Sequence, residues 1–141
     1  ILLLDPFTGT FTVKGNQITG VAQEGIVFLQ DFQGQFVAEA NTITANTFAI
    51  AFALDCEGEF SAVKNHLNGG TGALAISQNF SGNCELQSNV FVGGAVPVSF
   101  IGTYNGRFLA ADNQFISLNL DALGFVDRFT GVCILENNDI L

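Results

Sequence analysis

Three acidic side chains, Asp55, Glu57 and Glu59, alternate along one short segment and come closest to a catalytic or metal-binding set. On an extended strand, acids two residues apart share a face and lie about 7 Å apart. Paired carboxylates at such separations can hydrolyse glycosides, and hard oxygen ligands suit Ca²⁺. The segment lacks EF-hand spacing, and an acidic stripe also protects a strand edge from promiscuous pairing. These acids are therefore only weak Ca²⁺ candidates, and the sequence predicts neither a metal site nor a cofactor.

Hydrolytic triads need a nucleophile, a base and an orienting group, and the only imidazole is that of His66. This histidine lies in a polar segment without a nucleophile motif, which is typical of a solvated side chain. The glycine-rich points, Gly69-Gly70 and Gly93-Gly94, lack the lysine and the strand-to-helix context of phosphate-binding loops. The sequence therefore predicts that the protein is not an enzyme.

Three cysteines, Cys56, Cys84 and Cys133, are too far apart in sequence to match a zinc motif. One disulfide and one free thiol is the simplest arrangement. Strand alternation places Cys56 and Cys133 on apolar faces, which favours a buried disulfide between them. The alternative, three reduced thiols that pack as small hydrophobic groups, remains equally open.

The composition indicates an exported protein. Of the 141 residues, 48% are hydrophobic and only 12% are charged, which is low for a cytosolic monomer. The net charge of −9 excludes nucleic acid and anionic lipid surfaces as expected partners. Every apolar run is too short for a transmembrane helix. The chain starts at Ile1 and contains no Met, so we expect a processed chain that is secreted, extracellular or at the cell surface.

An internal duplication organises the chain. Residues 28–41 (FLQDFQGQFVAEAN) resemble residues 100–113 (FIGTYNGRFLAADN) at an offset of 72. We therefore expect two related halves of about 70 residues, 1–69 and 70–141, within a single domain that covers 1–141. Because two copies are too few for a typical solenoid, the halves are expected to pair. The predicted fold is all-β, an antiparallel β-sandwich or barrel formed by the two halves.

Turn signals in the sequence favour antiparallel strands. Runs rich in Phe, Val, Ile and Thr alternate with period two, and Gly, Asn and Asp separate them. The dipeptide Asn105-Gly106 adopts the positive φ values of a type I′ turn readily. It predicts a hairpin between residues 98–104 and 107–111, and Gln33-Gly34 predicts the same turn in the first half.

Apolar residues concentrate at the start of the chain. The residues that form this predicted N-terminal strand are Ile1, Leu2, Leu3, Leu4, Phe7 and Phe11. Two interpretations are open for such an apolar end. It can form the first strand of its own sheet, or it can complete the sheet of a neighbouring subunit by donor-strand complementation.

A second segment is apolar on both faces. In residues 48–54 the large side chains share one face, while Ala49, Ala51 and Ala53 share the other. Antiparallel strands usually turn one polar face to water, so this strand is expected to be covered on both sides. Either a loop of the same chain or another subunit can cover the alanine face.

These observations favour a non-enzymatic, extracellular structural subunit that self-assembles through β-strand contacts into a filament, a pilus-like fibre or a matrix polymer. The expected partners are copies of itself. Head-to-tail contacts of this kind build open filaments. The alternative is a secreted β-barrel binding module, whose Phe-lined interior holds an apolar small molecule or whose loops bind carbohydrate. Asn79 lies in an Asn-Phe-Ser match to the N-glycosylation pattern, which a short chain often contains by chance.

Overall fold

The computed structural model describes residues 1–118 and 121–141, and every regular element among them is a β-strand. Sheet A contains Leu2–Leu3 (β1), Ile26–Phe28 (β4), Phe48–Phe52 (β7), Gly72–Ile76 (β10), Val98–Phe100 (β13) and Leu123–Phe125 (β16). Sheet B contains Phe7–Lys14 (β2), Phe32–Glu39 (β5), Cys56–Val63 (β8), Phe80–Gln87 (β11), Tyr104–Ala111 (β14) and Phe129–Glu136 (β17). Sheet C contains Gln17–Val21 (β3), Thr42–Ala45 (β6), His66–Gly69 (β9), Val90–Gly93 (β12), Gln114–Ser117 (β15) and Asp139–Ile140 (β18).

The chain passes through the three sheets in a fixed order and then repeats. Each strand pairs in parallel with the strand three places later in the chain, as β5 does with β8 and β8 with β11. One passage through sheets A, B and C is therefore one turn of a coil, and each sheet stacks six strands. The protein is a parallel β-solenoid of six turns. The predicted antiparallel sandwich or barrel is wrong, because period-two alternation marks a strand without indicating the direction of its neighbours.

The repeating unit of the structure is the single turn. Stacked residues in the middle turns are 24 residues apart, and those joining the first two or the last two turns are 25 apart. The 72-residue offset seen in the sequence is therefore three turns. Every strand of sheet B carries an aromatic residue or Cys at its first and fifth positions and Gly at its third, but few other positions repeat. This sparse signal explains why single turns are harder to detect than blocks of three.

The predicted hairpins are also wrong, because their turn dipeptides lie inside strands. Asn105-Gly106 lies within β14 and Gln33-Gly34 within β5. Gly34 and Gly106 do have positive φ, 139° and 144°. Their role is close stacking, because a Cβ atom on Gly106 would overlap the carbonyl oxygen of Gly82 one turn below. We call the whole column the glycine ladder: Gly9, Gly34, Gly58, Gly82, Gly106 and Gly131.

Stacked aromatic rings fill the interior. The rings of Phe28 and Phe52 lie 4.7 Å apart and nearly parallel, and those of Phe36 and Phe60 lie 4.9 Å apart. Tyr104 is the only phenol in this core, and its hydroxyl donates to the carbonyl oxygen of Arg107 at 2.8 Å. Rings at these separations gain stacking energy beyond that of burial alone. Among the residues that the structure describes, the interior is thus a packed column of side chains.

A second ladder occupies the corner between sheets B and C. From the second turn on, each asparagine side-chain oxygen accepts hydrogen bonds from the backbone and side-chain nitrogens of the asparagine one turn earlier, as Asn65 does from Asn41 at 2.9 and 2.9 Å. The side-chain nitrogen of Asn65 also donates to Ala38 O at 2.9 Å. The members of this asparagine ladder are Asn16, Asn41, Asn65, Asn89, Asn113 and Asn138. The buried amides are therefore well satisfied, as stability requires.

The residue before each ladder asparagine makes the sharp bend of the corner. It has φ between 52° and 64°, whether it is Gly15 in the first turn or Ala40 in the second. The side-chain bonds of the asparagine offset the modest cost of this left-handed conformation. In the described part of the chain, no helix has the length and hydropathy required to cross a membrane.

Candidate assembly surfaces at the two ends of the solenoid

The acidic residues considered as Ca²⁺ candidates lie on and beside the outer face of sheet B. Glu57 accepts a hydrogen bond from Gln33 at 3.3 Å, and Glu59 accepts one from Asn83 at 2.9 Å. Both carboxylates are exposed and paired with an amide on an adjacent turn. Among the residues that the structure describes, no group of three or more His, Cys, Asp or Glu side chains is arranged to hold a metal ion.

The third candidate acid has the same kind of partner. Asp55 accepts from both the backbone and side-chain nitrogens of Asn79 at 3.0 Å, and Asn79 in turn accepts from Thr103 N at 3.1 Å. The Asn79 side chain is thus bonded on both sides, at an exposed position. His66 begins β9 with its side chain exposed, and its backbone nitrogen donates to Asn41 O. These polar groups link one turn to the next.

The predicted disulfide between Cys56 and Cys133 is wrong, and all three cysteines are free thiols. Cys56 is the first residue of β8 and Cys133 the fifth of β17, three strand intervals away. Three intervals span about 14 Å, whereas a disulfide needs Cα atoms within about 7 Å. Cys56 and Cys84 instead occupy aromatic positions in the core, and Cys133 is exposed on the last turn.

Thiol reactivity should separate these cysteines. Burial raises the pKa of Cys56 to about 12 and also raises that of Cys84, so neither forms thiolate near neutral pH. At a protein concentration at which the chain is monomeric, we expect a thiol reagent such as dithionitrobenzoate to label only Cys133 rapidly in the native protein, and all three cysteines in urea. The Cys133→Ser variant is the control and should show no fast phase. Rapid native labelling of two or three thiols would contradict the buried placement of Cys56 and Cys84.

The N-terminal segment lies in its own sheets as the first turn. β1 pairs in parallel with β4, and the Ile1 ammonium donates to Gly25 O at 2.6 Å. In β2, Phe7 stacks on Phe32 at 5.4 Å and Phe11 on Phe36 at 5.8 Å. The second turn thus covers one side of this segment. Its other side forms one end of the solenoid, where Leu2 and Leu4 are 57% and 62% exposed.

The structure places the three alanines of the doubly apolar segment differently from one another. Ala49 is fully buried in the core cluster. Ala51 is buried and stacks between Val27 and Ala75 of the adjacent turns. Ala53 follows β7 and is half-buried. Neighbouring turns of the same chain therefore surround most of this segment.

The last turn forms the second end of the solenoid. β16, β17 and β18 are the outermost strands of their sheets, just as β1, β2 and β3 are at the other end. Inner positions that are buried in the middle turns are open here, so that Leu135 and Ile140 are 53% and 66% exposed. These side chains, with Phe125 and Cys133, line an open and largely apolar cavity of about 620 Å³.

The asparagine ladder gives the two ends opposite polarity. At the first end, Asn16 donates its backbone and side-chain N–H groups inward to Asn41 Oδ1 at 3.0 and 3.1 Å. At the last end, Asn138 accepts at Oδ1 from Asn113 at 2.9 and 3.0 Å. By the repeat of the ladder, the acceptor oxygen of Asn16 faces out of the first end. The donor side of Asn138 faces out of the last end.

Comparisons of this chain with protein-family models, with curated proteins and with solved structures gave no match. The function of the chain is therefore inferred from its fold and its surfaces. Sequence reasoning found the apolar first end but missed the last end and the asparagine ladder. The recurrence of Asn at spacings of 24 and 25 residues is the signal that could have identified the ladder.

Proposed function

We propose that this protein is a non-enzymatic structural subunit that acts outside the cell and self-assembles through β-strand contacts. One observation carries the proposal: every sheet is a parallel, in-register stack of single turns, a pattern that strands of a second copy can continue at an unpaired edge. Open, flat strand edges are templates for pairing with another chain. A long edge with exposed leucine and isoleucine is stabilised when another turn covers it.

The charge distribution supports association along the axis. The acids Glu57, Glu59 and Glu85 occupy exposed positions on the outer face of sheet B, along the sides of the solenoid. Like charges on the sides disfavour lateral clumping in a protein of net charge −9. The location outside the cell is proposed from the low charged content, which is unusual for a cytosolic monomer.

Sedimentation velocity and negative-stain electron microscopy test this function directly. We expect the mean sedimentation coefficient to rise with protein concentration, and we expect rods whose width is that of one solenoid. Raising the salt concentration should leave association intact or strengthen it, because apolar burial drives it. A monomer at every concentration would overturn the proposal. If such a monomer bound a hydrophobic dye at the Leu135 and Ile140 end, a ligand-binding role would replace it.

A further inference from the structure

We propose that the outer face of sheet B binds a neutral oligosaccharide, in a polar pocket that lies across β5, β8, β11 and β14. The pocket has a volume of about 320 Å³, and exposed side chains form most of its wall. It lies on the side of the solenoid, so strand pairing along an edge leaves it accessible. This binding site goes beyond self-assembly and does not depend on it.

The polar residues of the pocket come from two neighbouring columns of outward side chains. One column contains the fourth residues of successive sheet B strands, and the other contains the sixth residues. Members of a column are about 4.8 Å apart, and the two columns are about 7 Å apart. The lining residues are Gln35, Glu59, Asn83 and Arg107 in the first column and Ser61 and Glu85 in the second.

The wall of the pocket offers little apolar surface. Phe60 also borders it, but the ring of Phe60 is buried in the core and stacks on that of Phe36 at 4.9 Å. Phe60 therefore presents its backbone to the pocket. Because an apolar ligand gains free energy by burying its surface against apolar groups, this pocket disfavours such a ligand.

Charged groups in the pocket keep hydrogen-bonding capacity for a ligand. Glu59 Oε1 accepts from Asn83 Nδ2 at 2.9 Å, and the second carboxylate oxygen of Glu59 points to no donor among the described residues. In the described part of the chain, Lys14 and Glu39 form the one ion pair, so no carboxylate neutralises Arg107. A guanidinium carries five N–H donors, and a carboxylate accepts at both oxygens. Donors and acceptors therefore lie next to each other.

This pattern of donors and acceptors matches the neighbouring hydroxyl groups of a sugar. Each hydroxyl both donates and accepts, so it can donate to Glu59 or Glu85 while it accepts from Arg107. Hydrogen bonds to charged groups are stronger than those between neutral groups. Phosphate and sulfate groups would meet two carboxylates on a protein of net charge −9, which repels them. A neutral carbohydrate is therefore the class of ligand that the pocket favours.

The sheet beneath the pocket is held on both sides. β8 pairs with β5 and β11 along all eight of its residues, and β11 pairs with β14 in the same way. Binding therefore orders side chains but little backbone, which lowers its entropic cost.

A second shallow pocket extends the site toward the start of the strands. It has a volume of about 270 Å³, and its lining includes Gln33, Asp55 and Glu57. Glu57 and Glu59 share the outer face of β8, two residues or about 7 Å apart. A ligand of several sugar units can therefore contact both pockets. We expect affinity to increase from a monosaccharide to longer chains.

An array of immobilised neutral oligosaccharides built from glucose, mannose, galactose or xylose tests this site, and calorimetry with the best binder gives its affinity. Glu59→Gln and Arg107→Ala should each weaken binding by at least about tenfold, because each removes hydrogen bonds to a charged group. Arg128→Ala is the matched control, since it removes the same charge at an exposed position outside the pocket. It should bind like the wild type. Circular dichroism verifies that these surface variants fold.

Three outcomes would overturn the inference. The first is no binding to any oligosaccharide on the array at millimolar ligand, and the second is binding that Glu59→Gln and Arg107→Ala leave unchanged. The third is affinity that falls steeply with salt, because binding of a neutral ligand depends little on ionic screening. A lysine-rich peptide that bound in this salt-sensitive way, in place of sugars, would assign the acids of sheet B to a basic protein partner. None of these results affects self-assembly, which sedimentation tests separately.

Discussion

Replacement of Gly82 by alanine is expected to prevent folding or to lower the free energy of unfolding by more than about 4 kcal/mol. Gly82 has a φ of 138°, a conformation that is strained for any residue with a Cβ atom. The added methyl group would also overlap the carbonyl oxygen of Gly58. Backbone atoms on both sides are held by the parallel hydrogen bonds of sheet B, so the strands cannot separate locally. Urea denaturation followed by circular dichroism measures the loss.

Gly9→Ala is the matched control for this prediction. Gly9 has nearly the same φ, 130°, but a Cβ atom there would meet nothing within 4 Å. Its cost should be backbone strain alone, about 1 to 3 kcal/mol. The difference between Gly82→Ala and Gly9→Ala therefore isolates the steric overlap between turns. Similar losses in the two variants would mean that stacking of the glycine ladder contributes little.

Replacement of Asn65 by alanine is expected to lower the free energy of unfolding by about 2 to 4 kcal/mol. The side chain of Asn65 is buried and accepts two hydrogen bonds from Asn41. It also donates to Ala38 O and to Asn89 Oδ1, both at 2.9 Å. Alanine leaves the backbone N–H of Asn41 and the carbonyl of Ala38 without these partners in a region closed to water.

The first-turn variant Asn16→Ala provides the comparison. Asn16 is exposed, so water can hydrogen-bond to the groups that lose a partner. Its loss should stay below about 1 kcal/mol. Chemical denaturation at a protein concentration at which the chain is monomeric gives both values. If Asn16→Ala cost as much as Asn65→Ala, the difference in burial would not control the strength of the ladder.

The strand content of the fold could be predicted from the sequence, but the direction of the strands could not. Alternation of Phe11, Val13 and similar residues with polar neighbours reports one buried face, which parallel and antiparallel strands share. Asn105-Gly106 favours a hairpin by local propensity. The stacking of Gly106 on Gly82 overrides that propensity, because only glycine allows the two backbones to approach so closely. Packing between turns therefore outweighs the local preference of Asn105-Gly106 for a hairpin turn.

Only part of the candidate assembly surface could be predicted from the sequence. The apolar segment Ile1–Leu4 could be identified from the sequence because it contains four apolar residues in succession. Leu135 and Ile140 resemble inner residues of any other turn, and only their place in the stack exposes them. The asparagine ladder depends on contacts 24 residues apart, which local patterns do not report. Cys56 and Cys133 lie in different turns, and the distance between them could not be predicted without knowing how the turns stack.

Because the turns stack in register, residues at the same position of successive turns are evenly spaced along the solenoid axis on its outer surface. Gln33, Glu57, Ser81 and Asn105 form one straight outward column, with successive members one strand spacing apart. That spacing is about 4.8 Å. Substitutions along such a column would place chosen chemical groups on a regular one-dimensional lattice. Their spacing could be changed in steps of one turn without altering the core.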